Sequence, residues 1–175
     1  MKKILPISIA VLFLFAPGFH VVQSLAPKNN SPEVPFHTPK YTEGKTLPRQ
    51  IIENSIIGPE DGIIFIHTLV TVNKNAKLTI KPGTIIAMSE YSGIRVLGDV
   101  QAIGTKENPI QFVSNELNHT NRTWSGLFFE QSGAGHVEHA LFQYASPAIS
   151  CTIPSKIILK ENKYLFGNLD LFGPC

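Results

Sequence analysis

The 175-residue chain lacks most of the patterns on which recognisable chemistry is built. It has no CxxC pair, no phosphate-binding glycine loop, no nucleotide motif and no Ser-His-Asp spacing. No apolar stripe of helical period runs for the length of a helix, which excludes a helical bundle. Charged residues are only 16%, with three Asp (Asp61, Asp99, Asp170) and three Arg (Arg49, Arg95, Arg122). Cysteine occurs twice and tryptophan once. What the chain does have is 43% apolar residues, 13 Gly and 13 Pro. That composition implies an all-β domain with many turns and one sizeable core.

The first 24 residues, with Lys2 and Lys3, an apolar run from Ile7 to Ala16 and then Pro17-Gly18, follow the order of a secretory signal peptide. Pro6, Pro17, Gly18 and His20 leave a run well short of the ~20 apolar residues that a stable membrane span needs. Val22 and Ser24 supply the small residues for cleavage after Ser24. The expected location is therefore periplasmic, cell-surface or extracellular. Removing residues 1–24 takes away two lysines and no acids, so the mature chain is neutral and has no basic cluster to attract nucleic acid. Residues 25–50, with Pro27, Pro32, Pro35, Pro39 and Pro48, read as an extended linker.

From Ile51 to Cys175 short runs of Ile, Val, Leu and Phe alternate with polar residues between Gly, Pro and Asn. The chain also resembles itself. Ile64 to Val72 lies over Ile94 to Ala102 at an offset of 30, and Leu127 and Phe129 lie over Ile94 and Val96 at an offset of 33. The stretch 78–86 echoes 100–112. Such periods predict a short all-β solenoid of about four coils. In it, Gly98 and Gly104 mark corners where the backbone packs too closely for a Cβ.

The runs LTIKPGTII, GIRVLGDVQAIGTKENPIQFVS and WSGLFFEQSGAGHVEHALFQYA together resemble secreted bacterial right-handed parallel β-helix proteins, the pectin-lyase-like superfamily in its broad sense. The resemblance spans roughly 56–168 and implies a fold, a right-handed parallel β-helix, rather than an activity, because its members include lyases, hydrolases and adhesin stalks. A lyase would place calcium on acidic residues and use an arginine as base. The relevant residues here are Asp99, Arg95 and Glu130 on an outer flank, with Asp99 and Arg95 expected on one strand as a solvated ion pair. The Asn-Thr-Asp, Asp-Asp and Arg-Ile-Lys triplets of polygalacturonase-type hydrolases are absent.

Three other features bear on function. The polar stretch 114–124 is the longest interruption of the repeat. Its Asn118, His119, Asn121, Arg122 and Trp124 offer either an amide-ringed aromatic platform for a sugar or, for Trp124, a packing residue. His136 and Glu138 share a strand face while His139 points away, so no metal is expected, and no cofactor is expected outside a lyase's calcium. Cys151 and Cys175 are either bridged, as export permits, or two thiols.

The apolar C-terminal stretch has three readings: a truncated fragment, a cap closed by a Cys151–Cys175 bridge, or a β edge that pairs with another chain. The leading functional expectation is a non-enzymatic module presenting a rigid surface to polysaccharide or a cell-surface protein. The alternative is a polysaccharide lyase or glycoside hydrolase.

Overall fold

The computed structural model describes residues 41–116 and 124–166. Residues 1–40, 117–123 and 167–175 lie outside them, and with them the expected leader, most of the expected linker and Cys175. Sixteen strands follow one another: β1 (Lys45–Thr46), β2 (Gln50–Ile51), β3 (Ser55–Ile57), β4 (Ile64–Ile66), β5 (Leu69–Val72), β6 (Lys77–Ile80), β7 (Ile85–Met88) and β8 (Gly93–Val96). The second half adds β9 (Asp99–Ile103), β10 (Ile110–Ser114), β11 (Leu127–Phe129), β12 (Ala134–Glu138), β13 (Ala140–Gln143), β14 (Ile149–Cys151), β15 (Lys156–Lys160) and β16 (Lys163–Leu165). Among the described residues the single helical turn is 3-10, Pro59–Asp61. Among the described residues no helix is long and apolar enough to cross a membrane.

Every third strand pairs in parallel with the next of its kind. Sheet A has the order β1-β4-β7-β10-β13-β16, sheet B β2-β5-β8-β11-β14 and sheet C β3-β6-β9-β12-β15. The chain therefore winds as a three-sided parallel solenoid of about five coils, the first of which begins at Lys45 within the proline-rich stretch rather than at Ile51. Leu78↔Val100 and Ile80↔Ala102 confirm the echo of 78–86 in 100–112, and Ile94↔Leu127 and Val96↔Phe129 confirm the offset of 33.

The offset of 30 is wrong. Ile64 pairs with Ile86, and Val70 pairs with Ile94. The reason lies in the corners. Ile64 to Val72 is two strands on sheets A and B joined at His67-Thr68, whereas Ile94 to Ala102 is two strands on sheets B and C joined at Leu97-Gly98. A two-residue corner keeps the inward parity on both sides, so each reads as one uninterrupted alternating strand. Alternation with a period of two cannot say which corner it spans. The same geometry separates Arg95 on β8 from Asp99 on β9, residues expected on a single strand.

Inward ladders make the core. Val72, Val96 and Phe129 stack on sheet B, Leu78 and Val100 on sheet C, and Ile64 and Ile86 on sheet A, each at most 1% exposed. Burying one such side chain contributes about 1.5–3 kcal/mol. An aromatic ladder closes one end of this column: Phe112, Phe142 and Tyr164 have ring centroids 4.8 and 5.4 Å apart in succession. Buried hydroxyls at the corners are satisfied locally, Thr84 by donating to the Lys81 carbonyl and Ser92 to that of Ser89, both at 2.7 Å.

Gly98 sits where β8 turns into β9, and a Cβ there would overlap the carbonyl oxygens of Asn73 and Ala76 in the coil below. The glycine is required by this approach of neighbouring backbone. Gly98→Ala is expected to lower stability by about 3 kcal/mol, read as a lower midpoint in thermal or denaturant unfolding; an unchanged midpoint would contradict this corner geometry.

The 3-10 turn is tied to its neighbours by charge. Asp61 accepts from the Gly58 amide at 3.1 Å and from Lys45 at 2.9 Å, and Glu60 pairs with Lys81. The hydrogen bond from Lys45 chiefly holds Asp61, and that from Lys81 holds Glu60, below the usual carboxylate range. A depressed carboxylate stabilises the fold above its unfolded pKa, and that contribution is lost as pH falls through the folded value. The unfolding midpoint should therefore fall on acidification below about pH 4, and Asp61→Asn should flatten that fall.

Candidate functional site

The outward side of sheet C carries the most continuous polar ladder. Lys77 of β6 is in register with Asp99 of β9, and Thr79, Gln101 and His136 form the adjacent column. Because strands along a sheet lie about 4.8 Å apart, these side chains meet although they are separated by 22 to 35 residues in sequence. Lys77 Nζ lies 3.1 Å from Asp99 Oδ2, and Gln101 Nε2 donates to Asp99 Oδ1 at 2.7 Å. His136 Nε2 stands 2.8 Å from Glu138 Oε2 without the alignment of a hydrogen bond, and Lys160 lies 3.9 Å from the same oxygen.

Two open clefts meet at Asp99. One, of about 550 Å³, is lined by Asn54, Lys74, Lys77, Asp99 and Ser132. The other, of about 510 Å³, is lined by Asp99, Gln101, His136, Lys156 and Ile158. Asp99 thus lies at the rim shared by two depressions that each cross several coils, with Lys77 lining the one and Lys156 the other.

Around the corner on sheet B, Arg95 binds Glu130 through both Nε and Nη2, each 2.7 Å from Oε2. The pair spans adjacent coils, 35 residues apart in sequence. Beside it Phe128 lies over Gly93, where an added Cβ would come within 3.0 Å of the ring. With Leu69 these residues line a shallow cleft of about 260 Å³. Arg95 and Glu130 are therefore brought together, as their shared flank predicted. Asp99 is not with them, and the expected Arg95–Asp99 pair is replaced by Arg95–Glu130 and Lys77–Asp99.

Trp124 is not a platform. It is 2% exposed, donates from Nε1 to the Gln143 carbonyl at 2.7 Å, and stacks 6.2 Å from both Phe112 and Phe142. The ring ends the insertion by entering the core, the packing alternative left open by the sequence. Asn118, His119, Asn121 and Arg122 fall outside the described residues. Cys151 on β14 is buried and is not a free thiol, while Cys175 falls outside the described residues.

His136 and Glu138 share the outer face of β12, as expected, whereas His139, expected on the same strand, is the corner residue between β12 and β13 and lies 3.5 Å from Glu161. Among the described residues no group of three or more His, Cys, Asp and Glu side chains could hold a metal ion. The carboxylates beside the clefts face cations or histidine: Asp99 with Lys77, Glu130 with Arg95, Glu138 with His136.

Sequence reasoning missed Lys77, Gln101 and Phe128. Their signal was available in the confirmed offsets of 22 and 33, which place Lys77 under Asp99 and Phe128 over Arg95. No protein-family model matches the chain, nor does any curated protein or solved structure.

Trp124→Ala should cost about 3–5 kcal/mol of stability, as for other buried aromatic truncations. Denaturant unfolding checks this, and a change under 1 kcal/mol would return Trp124 to the surface.

Proposed function

We propose that the protein is an exported, non-enzymatic β-helix module that holds an extended polysaccharide along the outer flank of sheet C, at the cell envelope or outside the cell. The observation that supports this most is the position of Asp99, shared by two clefts that follow one another along the stack. Rigid side chains repeat there at the strand spacing, close to the length of one sugar in an extended chain. Lys77, Asp99 and Gln101 offer donors and acceptors already oriented by one another, which reduces the entropy lost on binding hydroxyl groups.

Turnover would need two carboxylates flanking one bond, or an oxygen cage for calcium beside a base. The pairing of Asp99 with Lys77, of Glu130 with Arg95 and of Glu138 with His136 favours holding over cleaving. The resemblance to pectin-lyase-like proteins fits the same flank, since that superfamily spans both stalks and enzymes.

Binding to an array of neutral and acidic polysaccharides is the test. Asp99→Ala and Gln101→Ala should each weaken binding about tenfold, the loss of one or two charge-assisted hydrogen bonds, with the β-sheet circular dichroism unchanged. Binding retained in both variants overturns the site. Release of unsaturated or reducing ends from polygalacturonate, abolished by Asp99→Ala, would replace this reading with the lyase or hydrolase. Capture of a protein partner with no glycan bound would replace polysaccharide with protein.

A further inference from the structure

The corner between sheets C and A changes length from coil to coil. Six residues, 104–109, lead from β9 to β10, His139 alone leads from β12 to β13, and Glu161 and Asn162 lead from β15 to β16. A one-residue corner must turn the chain at a single position, and His139 does so in the left-handed region at φ 48°. The middle coil is thus set back between two longer corners. The recess this leaves has a volume of about 450 Å³, within the range of ~300–1,000 Å³ that small-molecule sites occupy. It lies at the opposite end of the sheet C strands from the Gly98 corner.

Backbone hydrogen bonds fix its walls. The Gly104 amide donates to the Glu138 carbonyl at 2.8 Å and the Ile110 amide to that of His139 at 3.1 Å, so both ends of the long corner are bound to the coil beside it. Within that corner the Asn108 amide donates to Thr105 Oγ1 at 3.0 Å. On the other wall the His139 amide donates to the Lys160 carbonyl at 3.1 Å. The Asn162 side chain accepts from the Ala140 amide and donates to the Val137 carbonyl, both at 2.9 Å. The hydroxyl of Thr105 and the side-chain amide of Asn162 are therefore engaged in shaping the recess.

What remains is charge beside an apolar surface. The long corner contributes Lys106 and Pro109, the set-back coil His139 and Leu141, and the last coil Glu161 and Lys163. Among the described residues neither lysine has an ion-pair partner. Glu161 instead faces His139, its Oε2 lying 3.5 Å from Nδ1. Two lysines against one carboxylate leave a single net positive charge when His139 is neutral. That suits a monoanion, since a second negative charge would meet Glu161 uncompensated. Pro109 and Leu141 are both half-buried, and their apolar surface gains from contact with a hydrocarbon body that an inorganic ion does not have.

We infer that this recess is a binding site for a small organic acid, a single carboxylate on an apolar body, separate from the sheet C flank proposed to hold polysaccharide. Lys106 and Lys163 supply the charge from opposite walls, and Pro109 and Leu141 receive the body.

Calorimetric titration of the full chain with phenylacetate, phenylacetamide and inorganic phosphate tests this. Phenylacetate alone of the three is expected to bind. Lys106→Gln and Lys163→Gln should each weaken that binding about tenfold, the loss of one charge-assisted contact. Both side chains are exposed, so the β-sheet circular dichroism should persist. No binding of phenylacetate, equal binding of the amide or of phosphate, or unchanged affinity in both lysine variants overturns the site. Should a variant fail to fold, phenylacetate-induced NMR shifts in the unsubstituted chain decide. Shifts on the amides of residues 105–108 and 139–141 support the recess, and shifts confined to other parts of the chain overturn it.

Discussion

The structure depends on backbone hydrogen bonds running between coils in parallel register. A lone coil of three short strands satisfies almost none of its own amides and carbonyls, and each coil here completes the one before it. Once register is set, inward residues have no choice of neighbour. Val72, Val96 and Phe129 are stacked because β5, β8 and β11 are hydrogen-bonded, and their burial in turn holds the register. Shifting any strand by one residue would turn its whole apolar set outward.

That constraint decides where the chain can vary. Length can change only at corners, since an extra residue within a strand would break the ladder. Met88 to Gly93 turns one corner in five residues, and the equivalent corner from Ser114 to Gly126 takes twelve. Trp124 closes the longer excursion by burying its ring beside the stacked Phe112 and Phe142. The insertion is therefore anchored in the core at its end, and the aromatic residue that looks most like a ligand contact in the sequence belongs to the packing. The tight corners carry the opposite demand, and at Gly98 they leave no space for a side chain.

Fold class was legible because inward alternation and self-similarity at offsets from 22 to 33 residues are properties of composition and spacing, even though one of those offsets, 30, is not the register. The echo of Leu78 and Ile80 in Val100 and Ala102 is such a signal. Register was only partly legible, because β4–β5 and β8–β9 cross different corners with the same parity. The site was less so. Contacts on the outer flank join Lys77 to Asp99 and Arg95 to Glu130, pairs 22 and 35 residues apart, and only a correct register for each coil brings them together. Asp99 and Arg95 stood out as scarce residue types, but their partners are a lysine and a glutamate of ordinary abundance. Buried outward residues such as Ala87 and Val113 could not be told from strand noise, since nothing local marks a face covered by a remote segment.

The three faces then fall into different roles for a physical reason. Along Phe65, Ala87 and Val113 sheet A is apolar outside as well as inside, and Tyr41 packs on that patch. Sheets B and C place several charged and amide side chains outward, paired across coils as Lys77–Asp99 and Arg95–Glu130, between exposed apolar ones such as Leu69 and Ile158. A ligand approaching the solenoid meets ladders whose groups are held by their neighbours above and below, so binding need not first order them. Rigidity of this kind fits the extended polysaccharide proposed above, because the spacing of the contacts is set by the coils themselves.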